Sequence, residues 1–208
     1  MARNDNNTKR QASLFDSIIE SDAVIDGKFT FREPIKNEIQ FEQSNDDTEI
    51  CEVEKPIQRK AIRFISFGSG SSGNCSYIGS EDCGVLIDAG IDPKKVFDTL
   101  KVNGISPDKI KGICLTHDHG DHIRYAYNII RKNKHIHLFC TNRVLNGLLR
   151  RHNISTRIRD YHVPIYKEIP FKLANLTITA FEVPHDGSDN AGFFIEYDTL
   201  KFALATDI

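Results

Sequence analysis

The sequence predicts a mixed α/β (α+β) protein behind a polar extension, on three observations. Short apolar runs alternate with helical patterns over residues 61–152, and the last third is rich in strands. A histidine-rich stretch lies where one strand leaves its sheet, at residues 113–122, reading Ile-Cys-Leu-Thr-His-Asp-His-Gly-Asp-His. It follows a short apolar run bounded by Gly112, which suits a buried strand.

That stretch carries the chemistry. His117 and His119 are two apart, so in extended geometry they point the same way and can grip one ion. Asp121 and His122 fall where the chain turns into the next helix, aimed at a second ion beside the first. Neutral imidazole and carboxylate suit zinc, manganese or iron. A polar loop that happens to be rich in His is the alternative.

Residues 1–58 form a separate extension, and the ordered domain is expected over 59–208. The window 37–54 has seven acidic residues and no Lys or Arg. Such a stretch buries too little apolar surface to offset its ordering entropy, so the extension is expected to be largely disordered. Within it Leu14, Phe15, Ile18 and Ile19 share one helical face behind a possible Ser13 N-cap. This reads either as a docking helix for a protein partner or as a transient helix in a loose tail.

Residues 61–67 read as the first strand. Gly68-Ser-Gly-Ser-Ser-Gly-Asn-Cys75 follows, without the Gly-Lys-Ser/Thr of a P-loop. Two readings stay open: a glycine turn whose N–H groups face an anion, with Ser71 and Asn74 as substrate contacts, or a plain hairpin turn. Strands at 75–78 and 85–87 come next. Asp92-Pro93 starts a helix with Val96, Phe97 and Leu100 on one face and Gly104 at its end. Asp88, at a strand end, is either a carboxylate that braces the metal-ligand loop or a turn former.

After the motif, 123–133 reads as a helix, 135–140 as a strand, and 142–152 as a helix capped by Thr141. The region 122–159 holds nine basic residues and no Asp or Glu, Arg124 among them. A basic patch beside a metal site suits a phosphate-bearing polymer, and two solvated basic helix faces are the plainer reading. His135 and His137 lie among apolar neighbours and read as structural or exposed. The last third has strands at 176–183, 191–197 and 200–206. His185 follows a strand and can supply a third nitrogen to the His117/His119 ion. Asp207 ends a strand and can bridge two ions.

Five scattered cysteines without a C-x-x-C pair, and no apolar leader or run of about 18 apolar residues, read as reduced thiols in a soluble cytoplasmic protein with no membrane span.

The pattern resembles the metallo-β-lactamase-fold hydrolases. The residues that carry the resemblance are Ile87-Asp88-Ala89-Gly90, Thr116-His-Asp-His-Gly-Asp-His122, His185 and Asp207, in that order. The glycine-serine loop and Val183-Pro-His-Asp186 look like the YycJ/WalJ-like group, bacterial cytoplasmic enzymes associated with exonucleolytic attack on DNA. The resemblance implies an αββα four-layer sandwich with two divalent metals at the sheet edge. His117, His119 and His185 would hold the first, Asp121 and His122 the second, with Asp207 bridging and Asp88 bracing. It also implies a further histidine on a later loop, which no residue here can play by position. The second site is therefore expected to be one ligand short and the sandwich C-terminally incomplete, as in a fragment, a truncated product or a degenerate relative.

The expected activity is hydrolysis of a phosphodiester by a metal-activated hydroxide, with Asp121 and Asp207 in catalytic roles and nucleic acid as substrate. Two alternatives stand beside it. One is a hydrolase of the same fold for thioesters, lactones or cyclic nucleotides. The other is a catalytically incomplete metal-binding fragment.

Overall fold

A hairpin opens the part of the chain that a computed structural model describes, residues 60–208. The readings for residues 1–58 lie outside the described residues. Strands β1 (Arg63–Gly68), β2 (Cys75–Gly79) and β3 (Gly84–Ile87) pair antiparallel in sequence order. Helix α1 (Pro93–Val102) then crosses to β4 (Ile110–Cys114), which lies parallel to β3. Short helices α2 (Gly120–Ile123) and α3 (Ala126–Lys132) lead to β5 (His137–Cys140). Helix α4 (Asn142–Arg151) and a 3₁₀ turn lead to β6 (His162–Pro164). β5 and β6 continue the parallel run, so one sheet has the order β1-β2-β3-β4-β5-β6. Strands β7 (Phe171–Leu173), β8 (Leu176–Glu182), β9 (Ala191–Tyr197) and β10 (Leu200–Leu204) form a second, wholly antiparallel sheet.

The period of two along each strand builds two cores. Tyr77, Leu86, Ile113 and Leu138 face the helices, where they join Val96, Leu100, Ile129, Val144 and Leu148. Their neighbours Ile78, Val85, Ile87, Cys114 and Phe139 face the second sheet, meeting Ile178, Ala180, Phe193 and Ile195. The buried apolar residues of the helices all belong to the first core, so the layers run helix, sheet, sheet. Among the described residues no helix covers the outer face of the second sheet, where Phe181 and Phe194 pack on each other with ring centroids 4.6 Å apart. This is the αββ part of the αββα sandwich.

Local chemistry sets the element ends. The Asp92 side chain caps α1 by accepting from the Lys94 N–H at 2.7 Å, with Pro93 in the first turn. Just past the helix the Gly104 N–H reaches the Lys101 carbonyl, and its φ of 71° turns the chain so that the Ile105 N–H reaches the Leu100 carbonyl. Thr141 caps α4 as its sequence suggests. The helix expected over 123–133 begins later, as α3 at Ala126, and the separate α2 precedes it over Gly120–Ile123. Between them the Tyr125 N–H turns away to the Ala89 carbonyl at 2.8 Å, a tertiary bond that periodicity cannot reveal.

Parallel pairing places the C-terminal ends of β3, β4 and β5 at one edge, where ligands gather in open α/β sheets. Asp88, the His117–His122 stretch and Thr141 all leave the sheet there. Among the described residues no helix is long and apolar enough to cross a membrane. Cys75, Cys83, Cys114 and Cys140 are free and buried. Burial pushes the thiols of Cys75, Cys114 and Cys140 far above their ordinary value, which leaves them inert as nucleophiles.

Candidate metal centre

At the end of β3 the chain turns through Asp88, which has a left-handed φ of 62° and is 1% exposed. Its Oδ1 accepts from the Thr116 N–H at 2.8 Å, and both carboxylate oxygens lie about 3 Å from the Thr116 hydroxyl. Oδ2 also meets His122 Nδ1 at 2.8 Å. Burial raises the carboxyl above its ordinary value, against the opposing pull of His122 and Thr116. Asp88 thus ties β3 to the loop after β4.

The Thr116 hydroxyl has one hydrogen. Donated to Asp88, it leaves the oxygen to accept from His117 Nδ1 at 2.9 Å. The network therefore assigns the His117 proton to Nδ1 and leaves a lone pair on Nε2. That Nε2 is buried and has no hydrogen-bond partner. Burial, with His122, His119 and His185 close by, lowers His117 to about 4, so the ring is neutral near pH 7.

Two donor groups share His117. His117, His119 and His185 form one, and His117, His122 and Asp207 the other, with the ligand atoms of each group within 4.8 Å of one another. His185 Nε2 stands 3.2 Å from His119 Nδ1. His122 Nε2 stands 2.9 Å from Asp207 Oδ2, on a ring whose Nδ1 donates to Asp88. A lone pair and a carboxylate oxygen this close repel one another, and a proton or a metal ion between them would remove that repulsion. Burial alone would lower His122, yet the Asp88 hydrogen bond and the Asp88, Asp207 and Asp121 charges raise it above its ordinary value. The orphaned Nε2 and the converging nitrogen and carboxylate donors fit a divalent metal.

The remaining candidates are placed as follows. Asp121 stands at the edge of the second group, with Oδ2 3.7 Å from His122 Nε2. Asn74 is buried and reaches both: its Nδ2 donates to Asp121 Oδ2 at 3.1 Å and lies 2.8 Å from His122 Nε2. The glycine-serine loop that carries it is the hairpin turn between β1 and β2. Its Gly70, Gly73 and Asn74 N–H groups bond to Asn74 Oδ1, Gly70 O and Asp121 O, so these three face protein acceptors rather than an anion. Ser71 and Arg124 are exposed, and among the described residues no side-chain hydrogen bond or ion pair ties either to the donor groups. His135 and His137 are exposed, away from the site.

Several residues here were not singled out by sequence. Thr116 sets the His117 tautomer. Asp118 points away from the two histidines that flank it, is 0% exposed, and accepts from the Ser188 N–H at 2.8 Å and hydroxyl at 2.7 Å. Its close neighbour is Gly147, where a Cβ would come within 2.0 Å of Asp118 Oδ2. Asn190 Nδ2 donates to the His185 carbonyl at 2.7 Å and fixes that loop. Asp186 Oδ1 lies 3.4 Å from His119 Nε2 and 3.3 Å from His185 Nε2. Period two was the available signal for Asp118, since a carboxylate between two ligands must point into the protein and find donors there.

The sequence profile of the β-lactamase superfamily domain matches residues 84–208, more than half of the chain. This chain belongs to the β-lactamase superfamily. Solved superfamily structures share its fold. A B3 metallo-β-lactamase with an active-site glutamic acid gives a TM-score of 0.55 at 15% identity, over 69% of this chain and 62% of that one. MEM-A1, a subclass B3 metallo-β-lactamase from a soil metagenome library, gives 0.53 at 15% identity, over 67% and 58%. Among curated relatives, exodeoxyribonuclease YycJ of Bacillus anthracis is 24% identical over 152 residues, covering 70% of this chain and 54% of the relative. Exodeoxyribonuclease WalJ of Streptococcus pneumoniae strain D39 is 24% identical over 147 residues, with the same coverage. The chain spans about half the length of these curated relatives.

Proposed function

We propose that the chain carries the metal centre of a hydrolase that cleaves phosphodiester bonds in DNA. The observation that carries this reading is the buried, unpartnered His117 Nε2 at the meeting point of two donor groups. His117, His119 and His185 would hold one ion. Asp121 and His122 would hold a second, with Asp207 between the two. Divalent ions so placed supply Lewis-acid polarisation of a phosphoryl oxygen and water of lowered pKa.

The protein's own groups set up the reaction. Asp88 and Thr116 hold the His122 and His117 rings with Nε2 facing the site. The Asn74 amide holds Asp121 Oδ2, which leaves the other carboxylate oxygen to accept a hydrogen bond from the attacking water and orient it. Asp207 has a left-handed φ of 53° that turns its carboxylate onto His117 and His122. The DNA substrate is supported by the exodeoxyribonuclease relatives and by the basic region over 122–159.

The test pairs metal content with hydrolysis of end-labelled single-stranded and duplex DNA in manganese, for this chain and for His119→Ala. About two ions per chain and nucleotide release are expected, with release lost in the variant. Bound metal with hydrolysis of a thioester or lactone but not of DNA would move the substrate to another class. Absence of bound metal would sink the reading altogether.

A further inference from the structure

Beside the metal centre lies a second feature that none of the candidate ligands uses. A cavity of about 910 Å³ opens between α4, the 3₁₀ turn Thr156–Tyr161 and the loop that carries His185. Four arginines line it, Arg143, Arg150, Arg151 and Arg159, together with Thr156 and Ser188. Among the described residues no carboxylate lines it. Arg151 has an ion-pair partner, Asp118 Oδ2 at 3.4 Å. Among the described residues no carboxylate lies within ion-pair distance of Arg143, Arg150 or Arg159.

Guanidinium groups gathered around one space, three of them without a carboxylate partner, favour the entry of an anion. Arginine is also the side chain whose planar fork best matches phosphate oxygens. The volume greatly exceeds what inorganic phosphate needs and falls in the usual range for organic ligands, so it suits a nucleotide-sized group. Location ties the cavity to the site. Ser188 forms part of its wall and donates twice to Asp118, which sits in the chain between His117 and His119. Arg151 reaches the same carboxylate from the cavity side. An anion held here rests one side-chain layer from the ligand loop.

We propose that this cavity is a subsite for the phosphodiester backbone of the DNA strand, holding phosphates that flank the bond to be cleaved. The proposal rests on the nuclease reading for its choice of polymer. Arg143 and Arg159 are the groups with no internal partner, so they carry the contacts, and Arg151 shares its charge between Asp118 and the strand.

The experiment measures equilibrium binding of a fluorescein-labelled single-stranded oligonucleotide to the whole chain, without added metal so that no hydrolysis intervenes, across a salt series. The Arg143→Gln/Arg159→Gln double variant is compared with Lys95→Gln/Lys101→Gln, which removes the same charge from α1, outside the basic region. Both pairs are solvent-exposed apart from the flank of the arginine cavity, and thermal melting checks that each variant folds. The cavity variant is expected to bind about tenfold or more weakly. Its log–log salt slope should be shallower by about 0.7 for each phosphate that the removed arginines neutralise in the parent. The α1 variant should stay within about twofold of the parent. Equal weakening in both variants, or none in the cavity variant, overturns the subsite. Binding of inorganic phosphate or a nucleoside monophosphate without binding of the oligonucleotide also overturns it, in favour of a small-anion site. A chain that binds the oligonucleotide through these arginines but never cleaves DNA keeps the subsite and refutes the nuclease reading, so the two failures are distinguishable.

Discussion

The donor side chains of the centre are held in two opposite ways. His117 and His122 are buried and held by side chains: Thr116 and Asp88 fix their rings before any ion arrives. His119, His185 and Asp207 are partly or fully exposed and sit on segments held chiefly through backbone, as where Asn190 bonds the His185 carbonyl. The first arm costs folding stability, since Asp88 is a buried carboxylate at a left-handed φ. The second forms with little such cost and is open to solvent, where substrate must approach. A preformed half and an adaptable half thus meet at His117.

The buried arm is most vulnerable at Asp88. Asp88→Ala leaves the Thr116 N–H and His122 Nδ1 buried without their partner. A loss of about 3–5 kcal/mol is expected in urea unfolding of the metal-free chain. Asp88→Asn sharpens the point, because Asn tolerates the left-handed backbone and keeps the shape. Its Nδ2 would then donate to His122 Nδ1 and move the ring proton to Nε2. Metal affinity should fall about 10–100-fold with a smaller loss of stability than in Asp88→Ala. Equal stability losses in the two variants would show that the charge, not the tautomer, is what Asp88 supplies.

Asp189 is the intermediate case, because it anchors the exposed arm from behind. It accepts from Thr141 Oγ1 at 2.7 Å and from Lys167, whose ammonium also meets Glu182 at 2.6 Å. Burial alone would raise the Asp189 carboxyl, but Lys167 and Thr141 hold it below its ordinary value. Burial would lower Lys167, and the two carboxylates raise it. A depressed carboxylate contributes stability above its unfolded pKa, near 3.9, and that stability is lost as pH falls through the folded value. The raised lysine contributes below its unfolded pKa, near 10.4, and loses that as pH rises through its folded value. Asp189→Asn should therefore cost on the order of 1–2 kcal/mol at pH 7. The cost should shrink as pH drops below about 4. Denaturant midpoints across pH 3–7 check it, and a cost that does not change with pH would remove the charge from the account.

What was legible in the sequence follows the same division. His117, His119, Asp121 and His122 lie in one short segment, so spacing alone announces them. His185 and Asp207 became visible only because that segment demands donors from elsewhere, and the sheet edge brings them in. Thr116 was in view without its role, since its partner Asp88 is 28 residues away. Asp118 and Ser188 are 70 residues apart, and nothing in either neighbourhood points to the other. The basic count over 122–159 was plain, yet only the packing of α4 against the 3₁₀ turn decides which arginines share a cavity. Local signals fix strands, caps and the motif, while tertiary hydrogen bonds decide what each polar side chain is for.

His185→Ala should have the smallest effect on folding and separates the two arms most directly. The ring is exposed, and its contacts, His119 Nδ1 at 3.2 Å and Asp186 Oδ1 at 3.3 Å, bring donor atoms together rather than bury apolar surface. Removing it should change the stability of the metal-free chain by no more than about 0.5 kcal/mol. With metal present, the difference should appear as one ion fewer per chain, because His117 and His119 are left with no third nitrogen. The second ion keeps Asp121, His122 and Asp207 and should still bind. Metal titration followed by thermal melting reads both effects on one sample. If His185→Ala abolishes binding of both ions, the preformed arm depends on the adaptable one. If binding is unchanged, Asp186 is the group that completes the first set, since its carboxylate already lies 3.4 Å from His119 Nε2.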